Sequence, residues 1–361
     1  MRHFVKILLY IVSCLIGLLL IFIVFLWIKS PGTTKPFIGK DGKQIPSSIA
    51  VIEKPIINGT PQALIIRGED TANPVLLYLH GGPGSPEWPL FDASGAYMEN
   101  MFTVCYWEQR GAGKSYNPNI PDSTFTLNQF VEDAASVTRY LMEKFKKQKI
   151  YLMGHSWGTV LGSYTAKKYP QYYYAYLGIG QVAEQLRAEQ ISYDFVLKSA
   201  RDEKDEKAVS FLKKMGRPPY STQKEWDKNI MDERKYVTRY GGAMKNGNFY
   251  SMVIKAMVNC REYTLREKFN YLKASGHTLT LLWSAVLNAH LFNDVAEQTI
   301  PVYIFQGTHD YQTAYPIAKE YFDSLKAPVK KFYSFDNSAH SPNFEEPKKF
   351  EEILRTDILK K

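Results

Sequence analysis

Cysteine is scarce in this chain, and clustered metal ligands are missing. The 361 residues include three cysteines, too few for the disulfide framework of a small secreted domain. No His-Glu-x-x-His segment, no pair of Cys-x-x-Cys motifs and no cluster of His and Asp occurs. These are the usual ligand patterns of protein-bound zinc and related metals, so the sequence implies no metal.

A complete phosphate-binding loop is also missing. Residues 111–115, Gly-Ala-Gly-Lys-Ser, resemble the end of such a loop, but Glu108 stands where the motif requires glycine. We therefore expect no nucleotide. The formal net charge of +9 is one signature of nucleic-acid binding. However, basic residues are interspersed with acidic ones in segments such as residues 198–207, which is typical of a solvated helix face. We therefore expect no nucleic-acid partner.

The first prominent feature that is present is a long apolar run. Residues 7–28 contain no charged side chain, and as a helix they would extend roughly 33 Å, enough to cross a bilayer core. A cleaved signal peptide is the alternative, but its apolar region spans about 7–15 residues and ends at small side chains. This run ends in bulky residues, and Trp27 and Lys29 suit a membrane interface. We expect residues 1–29 to form a short tail and a single-pass membrane anchor.

Charge gives little guidance on the orientation of that anchor. Basic residues lie before the run, at positions 2 and 6, and after it, at positions 29, 35, 40 and 43. The positive-inside rule therefore sets no clear bias. Because a lone N-terminal span often acts as an export signal, we expect a short cytoplasmic tail and an extracytoplasmic catalytic domain.

Beyond the anchor, the chain divides into a linker, a core in two parts and an insertion. Residues 30–46 are rich in glycine and proline, typical of a linker. A hairpin signal at Asn58-Gly59 is followed by alternating apolar strands and amphipathic helices, which predicts an α/β fold with a mainly parallel sheet. This alternation is lost over residues 182–299, which read as a helical cap. The predicted core comprises residues 47–181 and 300–361.

The strongest chemical motif is Gly154-His155-Ser156-Trp157-Gly158, which fits Gly-x-Ser-x-Gly. It follows an apolar strand-like segment, residues 150–153, and precedes a helical pattern. In that context a sharp strand-to-helix turn presents the serine hydroxyl above the sheet. Ser156 is therefore the predicted nucleophile.

A serine nucleophile needs a base, and the base needs an acid that orients it. Asp310 and His340 each follow an apolar strand-like run, in the chain order that this motif requires. Strand ends at one edge of a parallel sheet would bring both to the serine. Asp336 and Asp323 are rival acids, but the first lies close to the base in sequence and the second falls on a helix. His309 follows the strand of the acid, so we interpret it as structural.

The tetrahedral intermediate of acyl transfer needs two backbone N–H donors. Trp157, directly after the nucleophile, is the first predicted donor. The second should come from the loop His80-Gly81-Gly82-Pro83-Gly84, where we favour Gly82 and place Gly81 second. His80 is expected to brace this loop rather than to transfer protons.

Five segments together resemble the proline iminopeptidase family of α/β hydrolases, over roughly residues 45–358. They are His-Gly-Gly-Pro-Gly (80–84), Trp-Glu-Gln-Arg-Gly-Ala-Gly-Lys-Ser (107–115), Gly-His-Ser-Trp-Gly (154–158), Gly-Thr-His-Asp (307–310) and Ala-His-Ser (339–341). The resemblance implies an α/β-hydrolase fold, a Ser-Asp-His triad, no cofactor and a helical cap after the sixth strand. It implies a structural role for Arg110, and a peptide with a free N-terminal residue, often proline, as substrate.

The chain departs from the family pattern at two places. Glu108 stands where the family usually has aspartate, and the cap lacks the Trp-x-x-Trp-Glu-like setting of the carboxylate that holds a substrate amine. Glu184, Glu189 and Asp194 are the candidates for that role, although an exposed helix face explains them equally well. An esterase or lipase-like enzyme acting on acyl esters is the first alternative function, and a non-catalytic binding protein on the same fold is the second.

Overall fold

The computed structural model describes residues 2–95, 98–247 and 249–360. Its centre is an eight-stranded sheet in the order β1-β2-β4-β3-β5-β6-β7-β8. Strand β2 is antiparallel to both of its neighbours, and β3 to β8 are parallel to one another. The strands are β1 (Ile49–Glu53), β2 (Ala63–Gly68), β3 (Val75–Leu79), β4 (Thr103–Glu108), β5 (Ile150–His155), β6 (Tyr173–Ile179), β7 (Val302–Gly307) and β8 (Lys330–Phe335). The predicted α/β class is confirmed.

The turn between β1 and β2 forms where the sequence predicts it. Asn58 and Gly59 both have positive φ, 43° and 82°, and join the short antiparallel pair Ile56–Ile57 and Thr60–Pro61. Two consecutive positive φ values are the geometry of a tight hairpin turn, and Asn-Gly is the dipeptide that adopts it most easily.

Helices cover both faces of the sheet and also extend beyond it. They are α1 (Arg2–Ile28), α2 (Trp88–Ser94), α3 (Leu127–Phe145), α4 (Trp157–Lys168), α5 (Gln185–Asp202), α6 (Glu206–Met215), α7 (Gln223–Arg239), α8 (Phe249–Asn259), α9 (Leu265–Asn288), α10 (Leu291–Asp294), α11 (Tyr315–Ser324), α12 (Pro342–Glu345) and α13 (Pro347–Ile353). Helix α3 shows why they form. Thr126 caps its first turn by accepting from the N–H of Gln129, and Phe130, Ala134 and Val137 bury one face.

Helices α5 to α10 form the cap, which leaves the sheet after β6 and returns at β7. It thus follows the sixth strand, as the family resemblance implies. The cap has a small apolar core of its own, which includes Val196, Leu212 and Val237. Helices α7 and α9 both begin with a capping box, which fixes where they start.

Helix α1 is the one helix of the described residues that is long and apolar enough to cross a membrane. Most of its side chains are exposed, but Leu26 in its last turn is buried. The segment that follows is bound to the rest of the protein: the N–H of Gly32 donates to the carbonyl of Arg261 (2.9 Å), and the Arg67 guanidinium donates to the carbonyl of Lys35 (2.7 Å). The predicted linker is therefore not a free spacer at this end.

Candidate active site

Ser156 lies on the sharp turn between β5 and α4, with φ 54° and ψ −120°. A residue with a Cβ rarely adopts this conformation. The flanking glycines make the turn possible, because a Cβ on Gly154 would overlap the carbonyl of Gly158, and a Cβ on Gly158 would overlap the carbonyl of Leu79. The strand, the turn and the helix stand in the arrangement that the motif predicts.

Asp310 and His340 meet at the carboxyl ends of β7 and β8. The Nδ1 of His340 lies 2.9 Å from the Oδ2 of Asp310, and both side chains are buried. The backbone N–H groups of Gln312 and Thr313 donate to Oδ1 of Asp310 at 2.8 and 2.9 Å. The carboxylate is thus fixed in place, and His340 lines the same cavity as Ser156.

The rival acids lie elsewhere. Asp323 pairs with Lys319 on the exposed side of α11 (2.6 Å), and Asp336 is exposed. Neither they nor His309 belongs to the residues that line the cavity of Ser156. Of the predicted acids, the structure brings only Asp310 to the histidine.

The two predicted donors of the loop after β3 differ in how far their N–H groups are already used. The N–H of Gly81 donates to Oε1 of Glu87 at 3.0 Å, so it is already engaged, which argues against our second choice of donor. Gly82 has φ 112°, where a Cβ would approach the N of Gly84 at 2.7 Å, and it lines the cavity. Trp157 is the first residue of α4, and the N–H groups of a first helical turn have no partner within the helix.

His80 is buried within that loop and does not line the cavity. The Nε2 of His80 lies 3.1 Å from the N–H of Gln109, and burial lowers the pKa of His80 to about 4, so its imidazole is neutral and can accept this bond. Pro83 lines the cavity. A Cβ on Gly84 would approach the Cβ of Thr278 at 2.6 Å, which shows how closely α9 packs on the loop.

Arg110 also holds structure together. Its Nε and Nη2 donate to the two carboxylate oxygens of Asp133 on α3, at 2.8 and 3.0 Å, and Nη2 also donates to the carbonyl of Asn58 (3.2 Å). This buried two-point pair ties the segment after β4 to α3 and to the hairpin. Glu108, where the family usually has aspartate, accepts from the Tyr263 hydroxyl at 2.6 Å, and burial raises its pKa to about 7.

A buried pair next to Ser156 was missed by the sequence reasoning. The Nδ1 of His155 lies 2.7 Å from Oε1 of Glu87, the oxygen that also accepts from Gly81, and the Tyr78 hydroxyl donates to Glu87. The Nε2 of His155 lies 3.1 Å from the carbonyl of His340. Glu87 and His155 thus connect the glycine loop, the turn at Ser156 and the loop that carries His340.

The pKa shifts indicate that this pair is ionic. Burial opposes the charged imidazole, but the Glu87 carboxylate outweighs it and raises the pKa of His155 above its ordinary value. Burial likewise opposes the charged carboxylate, yet contact with His155 lowers the pKa of Glu87. A signal for this pair does exist in the sequence, a histidine inside the nucleophile motif, but nothing local identifies Glu87 as its partner.

A cavity of about 390 Å³ opens in front of Ser156, between the core and the cap. Its volume is within the usual range for a small-molecule site. Apolar side chains dominate the part of the wall that the cap supplies: Val182, Ile230, Met231, Val253, Ile254, Leu272, Leu279, Trp283 and Val286. The core supplies Ser156, His340 and the glycine loop.

The three candidate carboxylates for a substrate amine lie in different places. Glu184 pairs with Arg187 (3.1 Å), and Asp194 pairs with Arg217 on an exposed face (2.9 Å). Neither carboxylate lines the cavity, and each already has an arginine as its partner, so neither needs a substrate amine. Glu189 is completely buried and is held by the guanidinium of Arg234, which does line the cavity.

Gln185 is a polar group of the cavity that the sequence reasoning did not identify. Its Nε2 donates to the carbonyl of Gln312 (2.9 Å) and to Glu189, which fixes the orientation of the amide. Its Oε1 is buried and accepts no hydrogen bond from any described residue. Because a buried acceptor is costly when unpaired, this oxygen is a candidate contact for a polar group of the substrate.

Comparisons with known proteins agree with the fold. The profile of the α/β hydrolase fold family matches residues 74–215. A probable aminopeptidase of Bacillus subtilis is 33% identical over 85% of this chain and 96% of its own length. Two solved structures among those that share the fold are a proline iminopeptidase of Mycobacterium smegmatis and an esterase of Exiguobacterium antarcticum. The first is 16% identical over 85% of this chain and 96% of its own, with a TM-score of 0.59. The second is 16% identical over 87% of this chain and 100% of its own, with a TM-score of 0.58. The chain belongs to the proline iminopeptidase-like family of α/β hydrolases.

Proposed function

We propose that this protein is a membrane-anchored serine hydrolase that releases N-terminal residues, often proline, from peptides through an acyl-enzyme. The observation that carries the proposal is His340, which is paired with Asp310 and lines the same cavity as Ser156 on its strained turn. Three groups from three separate segments of the core converge there. That is the constellation that acyl transfer by a serine requires.

In the proposed mechanism, the Ser156 hydroxyl attacks the carbonyl carbon of the substrate while His340 takes its proton. Asp310 holds the Nδ1–H of His340, so that Nε2 is the basic nitrogen, and it stabilises the imidazolium. The N–H groups of Gly82 and Trp157 stabilise the oxyanion. His340 then protonates the leaving amine, and the acyl-enzyme is hydrolysed by water that His340 deprotonates.

The cap supports recognition of an amine. An amine at the N-terminus of a peptide is a cation that needs acceptors and negative charge in a desolvated site. Gln185 belongs to the cavity wall, its buried oxygen has no partner among the described residues, and its amide nitrogen donates to the carboxylate of Glu189. Of the three carboxylates considered, we retain Glu189. The Bacillus relative, a probable aminopeptidase, points the same way.

An esterase acting on acyl esters is the second candidate function. The observation that favours it is the apolar wall of the cavity, which suits an acyl chain as well as a proline ring. The chemistry at Ser156 would be the same. A non-catalytic binding protein would not need three convergent groups, one of them on a strained turn, so we place it third.

The anchor is α1. Its length and apolar composition support insertion in a bilayer, and its last turn carries a buried side chain, Leu26. We place the domain on the extracytoplasmic side, with a short cytoplasmic tail. Protease treatment of intact cells should remove the domain, whereas cleavage only after lysis would reverse this orientation.

The test of the activity uses the full chain in detergent with two substrates, proline 2-naphthylamide and p-nitrophenyl butyrate. We expect release of naphthylamine, and labelling of Ser156 by a fluorophosphonate probe that Ser156→Ala abolishes. Ester turnover without cleavage of any aminoacyl amide would favour the esterase. Absence of labelling at Ser156 would overturn both.

A further inference from the structure

The mouth of the cavity carries large apolar side chains that are exposed. Leu272 is 73% exposed and Ile254 is 59% exposed, although both line the cavity. Phe269, 68% exposed, lies three residues before Leu272 on α9 and therefore on the same side of that helix. We call Ile254, Phe269 and Leu272 the apolar lip. Exposed apolar groups that cluster at one site mark a surface for interaction.

One side of α9 leads from the apolar lip into the cavity. Leu272, Ser275, Leu279, Trp283 and Val286 all line the cavity at helical spacing. Exposure falls from 73% at Leu272 to 5% at Trp283 and 3% at Val286. The cavity therefore opens toward the beginning of α9 and is closed toward its end.

The segment that follows α1 contacts the residues just before the beginning of α9. Besides the Gly32–Arg261 bond, the Nε of Arg261 donates to the carbonyl of Thr33 (3.0 Å), and a Cβ on Gly32 would approach Thr264 at 2.7 Å. Leu272 is seven residues past Leu265, roughly 10 Å along the helix axis. The end of the proposed anchor and the mouth of the cavity are therefore neighbours.

Basic side chains lie around the apolar lip. Lys255, Arg266 and Lys273 are exposed on α8 and α9. Of the two acids in the same stretch, Glu262 is buried and Glu267 pairs with Lys114 (2.6 Å). An apolar cluster with exposed cations around it is complementary to a bilayer surface with anionic headgroups.

We propose that the apolar lip lies in the interface of the bilayer that holds α1, and that the cavity receives the apolar part of its substrate from that bilayer. This inference rests on the proposed function and refines it. The substrate class is an amphiphile, with a hydrolysable head at Ser156 and an apolar segment along Leu279 and Trp283. The contact of Gly32 and Thr33, just after α1, with Arg261, just before α9, holds the mouth of the cavity close to the membrane surface.

The first test measures insertion and does not depend on activity. Full-length protein carrying Cys14→Ser and Phe269→Cys is labelled with an environment-sensitive fluorophore in vesicles of phosphatidylethanolamine and phosphatidylglycerol. Val329→Cys is the control, because Val329 is 44% exposed and precedes β8, at the opposite end of the parallel strands from Ser156. We expect nitroxide-labelled lipids to quench position 269 at least threefold more than position 329. Equal quenching would overturn the proposal.

The second test measures entry into the cavity. Two fluorophosphonates that react with the same serine are compared in vesicles, a water-soluble short-chain probe and a hexadecyl probe dissolved in the bilayer. Phe269→Asp should slow labelling by the hexadecyl probe at least fivefold and change labelling by the soluble probe less than twofold. Phe211→Asp, at an exposed cap position on α6, should change neither.

The outcomes separate the two proposals. If neither probe labels the wild-type protein, the serine hydrolase function fails. If both probes label Ser156 and Phe269→Asp slows neither, the function stands and the membrane-facing cavity is wrong.

Discussion

The two walls of the cavity are built on different principles. On the core side, polar groups are held by hydrogen bonds from several directions, as at Asp310 and Glu87. On the cap side, the wall is mostly apolar, and its polar contribution reduces to Gln185, Ser275 and the buried ion pair of Glu189 with Arg234. If the proposed function is correct, the core fixes the chemistry, whereas the cap selects what reaches it.

The sheet explains why the core wall is rigid. In parallel strands the register determines where each strand ends. The pairing of β5 with β6 reaches His155 and Ile179, that of β6 with β7 reaches Ile179 and Phe305, and that of β7 with β8 reaches Gly307 and Phe335. Side chains that follow those ends are therefore placed relative to one another by backbone hydrogen bonds. Cap helices are placed by side-chain packing, which tolerates substitution more readily.

The largest expected effect is on the core wall, at Asp310. Asp310→Asn keeps the size of the side chain but favours the wrong tautomer of His340, so we expect kcat to fall by about 10⁴-fold. Steady-state kinetics on the better of the two substrates measures this, with circular dichroism to show that the fold is kept. Asp323→Asn, on the exposed side of α11, is the control and should leave kcat unchanged. A loss of less than tenfold at Asp310 would remove it from the proposed triad.

The next effect concerns the buried pair next to Ser156. Glu87→Gln removes the charge that raises the pKa of His155 and weakens the anchor of the Gly81 N–H. The neighbouring donor Gly82 should then be misplaced, so we expect kcat/KM to fall by about 10²-fold. Glu99→Gln is the control, because Glu99 is also a buried carboxylate, paired with Arg67 instead. If both variants lose activity equally, Glu87 has no special role.

The same pair predicts a pH dependence. The folded protein raises the pKa of His155, so its contribution to stability is fully present below the ordinary histidine pKa of about 6.5 and is lost as pH rises through the raised value. In Glu87→Gln, burial acts without its counter-charge and the pKa of His155 should fall. NMR titration of the His155 ring measures this shift. A His155 pKa that Glu87→Gln leaves unchanged would contradict the ionic pair.

A smaller effect is expected on the cap wall. Gln185→Met keeps the volume but removes the buried oxygen, so we expect KM for proline naphthylamide to rise about tenfold, the value of one hydrogen bond to a charged group. Turnover of p-nitrophenyl butyrate should change less than twofold, since an ester carries no amine. Gln190→Met is the control, because Gln190 lies on the same helix but donates to Pro218 outside the cavity (3.1 Å). Equal losses on both substrates would argue against amine recognition at this site.

The smallest effect is on the stability of the cap. Burial, with the nearby Glu189 carboxylate, raises the pKa of Glu233. Between the ordinary glutamate pKa of about 4.3 and the raised value, the unfolded chain binds fewer protons than the folded one, so stability falls as pH rises. Glu233→Gln cannot ionise, and its Tm should exceed that of the wild type by about 2–4 °C at pH 8 and by less at pH 5. Exposed Glu203→Gln should show no such difference, and a pH-independent gap would contradict the raised pKa.

The residues of the core wall could be predicted from the sequence because each of them belongs to a short local motif. The nucleophile motif, the glycine loop and the strand ends before Asp310 and His340 each occupy a few consecutive residues, and chain order supplies the rest. The fold class and the position of the cap followed from the same alternation of strands and helices. The hairpin at Asn58-Gly59 needed only its own dipeptide.

What the sequence did not predict depends on contacts between distant segments. Nothing near Glu87 in the chain indicates that it binds His155, and nothing near Gly81 indicates that its N–H is used by that carboxylate. Glu184 and Asp194 looked equivalent to Glu189 in sequence, and only packing of the cap distinguishes them. The contact of the linker with Arg261 also joins residues far apart in the chain.

The backbone at Ser156 also limits which residues evolution can place there. With φ at 54°, a β-branched side chain would clash with its own backbone, so threonine and valine are excluded, whereas the unbranched cysteine fits as serine does. A change from hydroxyl to thiol chemistry is therefore one substitution away at this position. A threonine nucleophile would require a different turn.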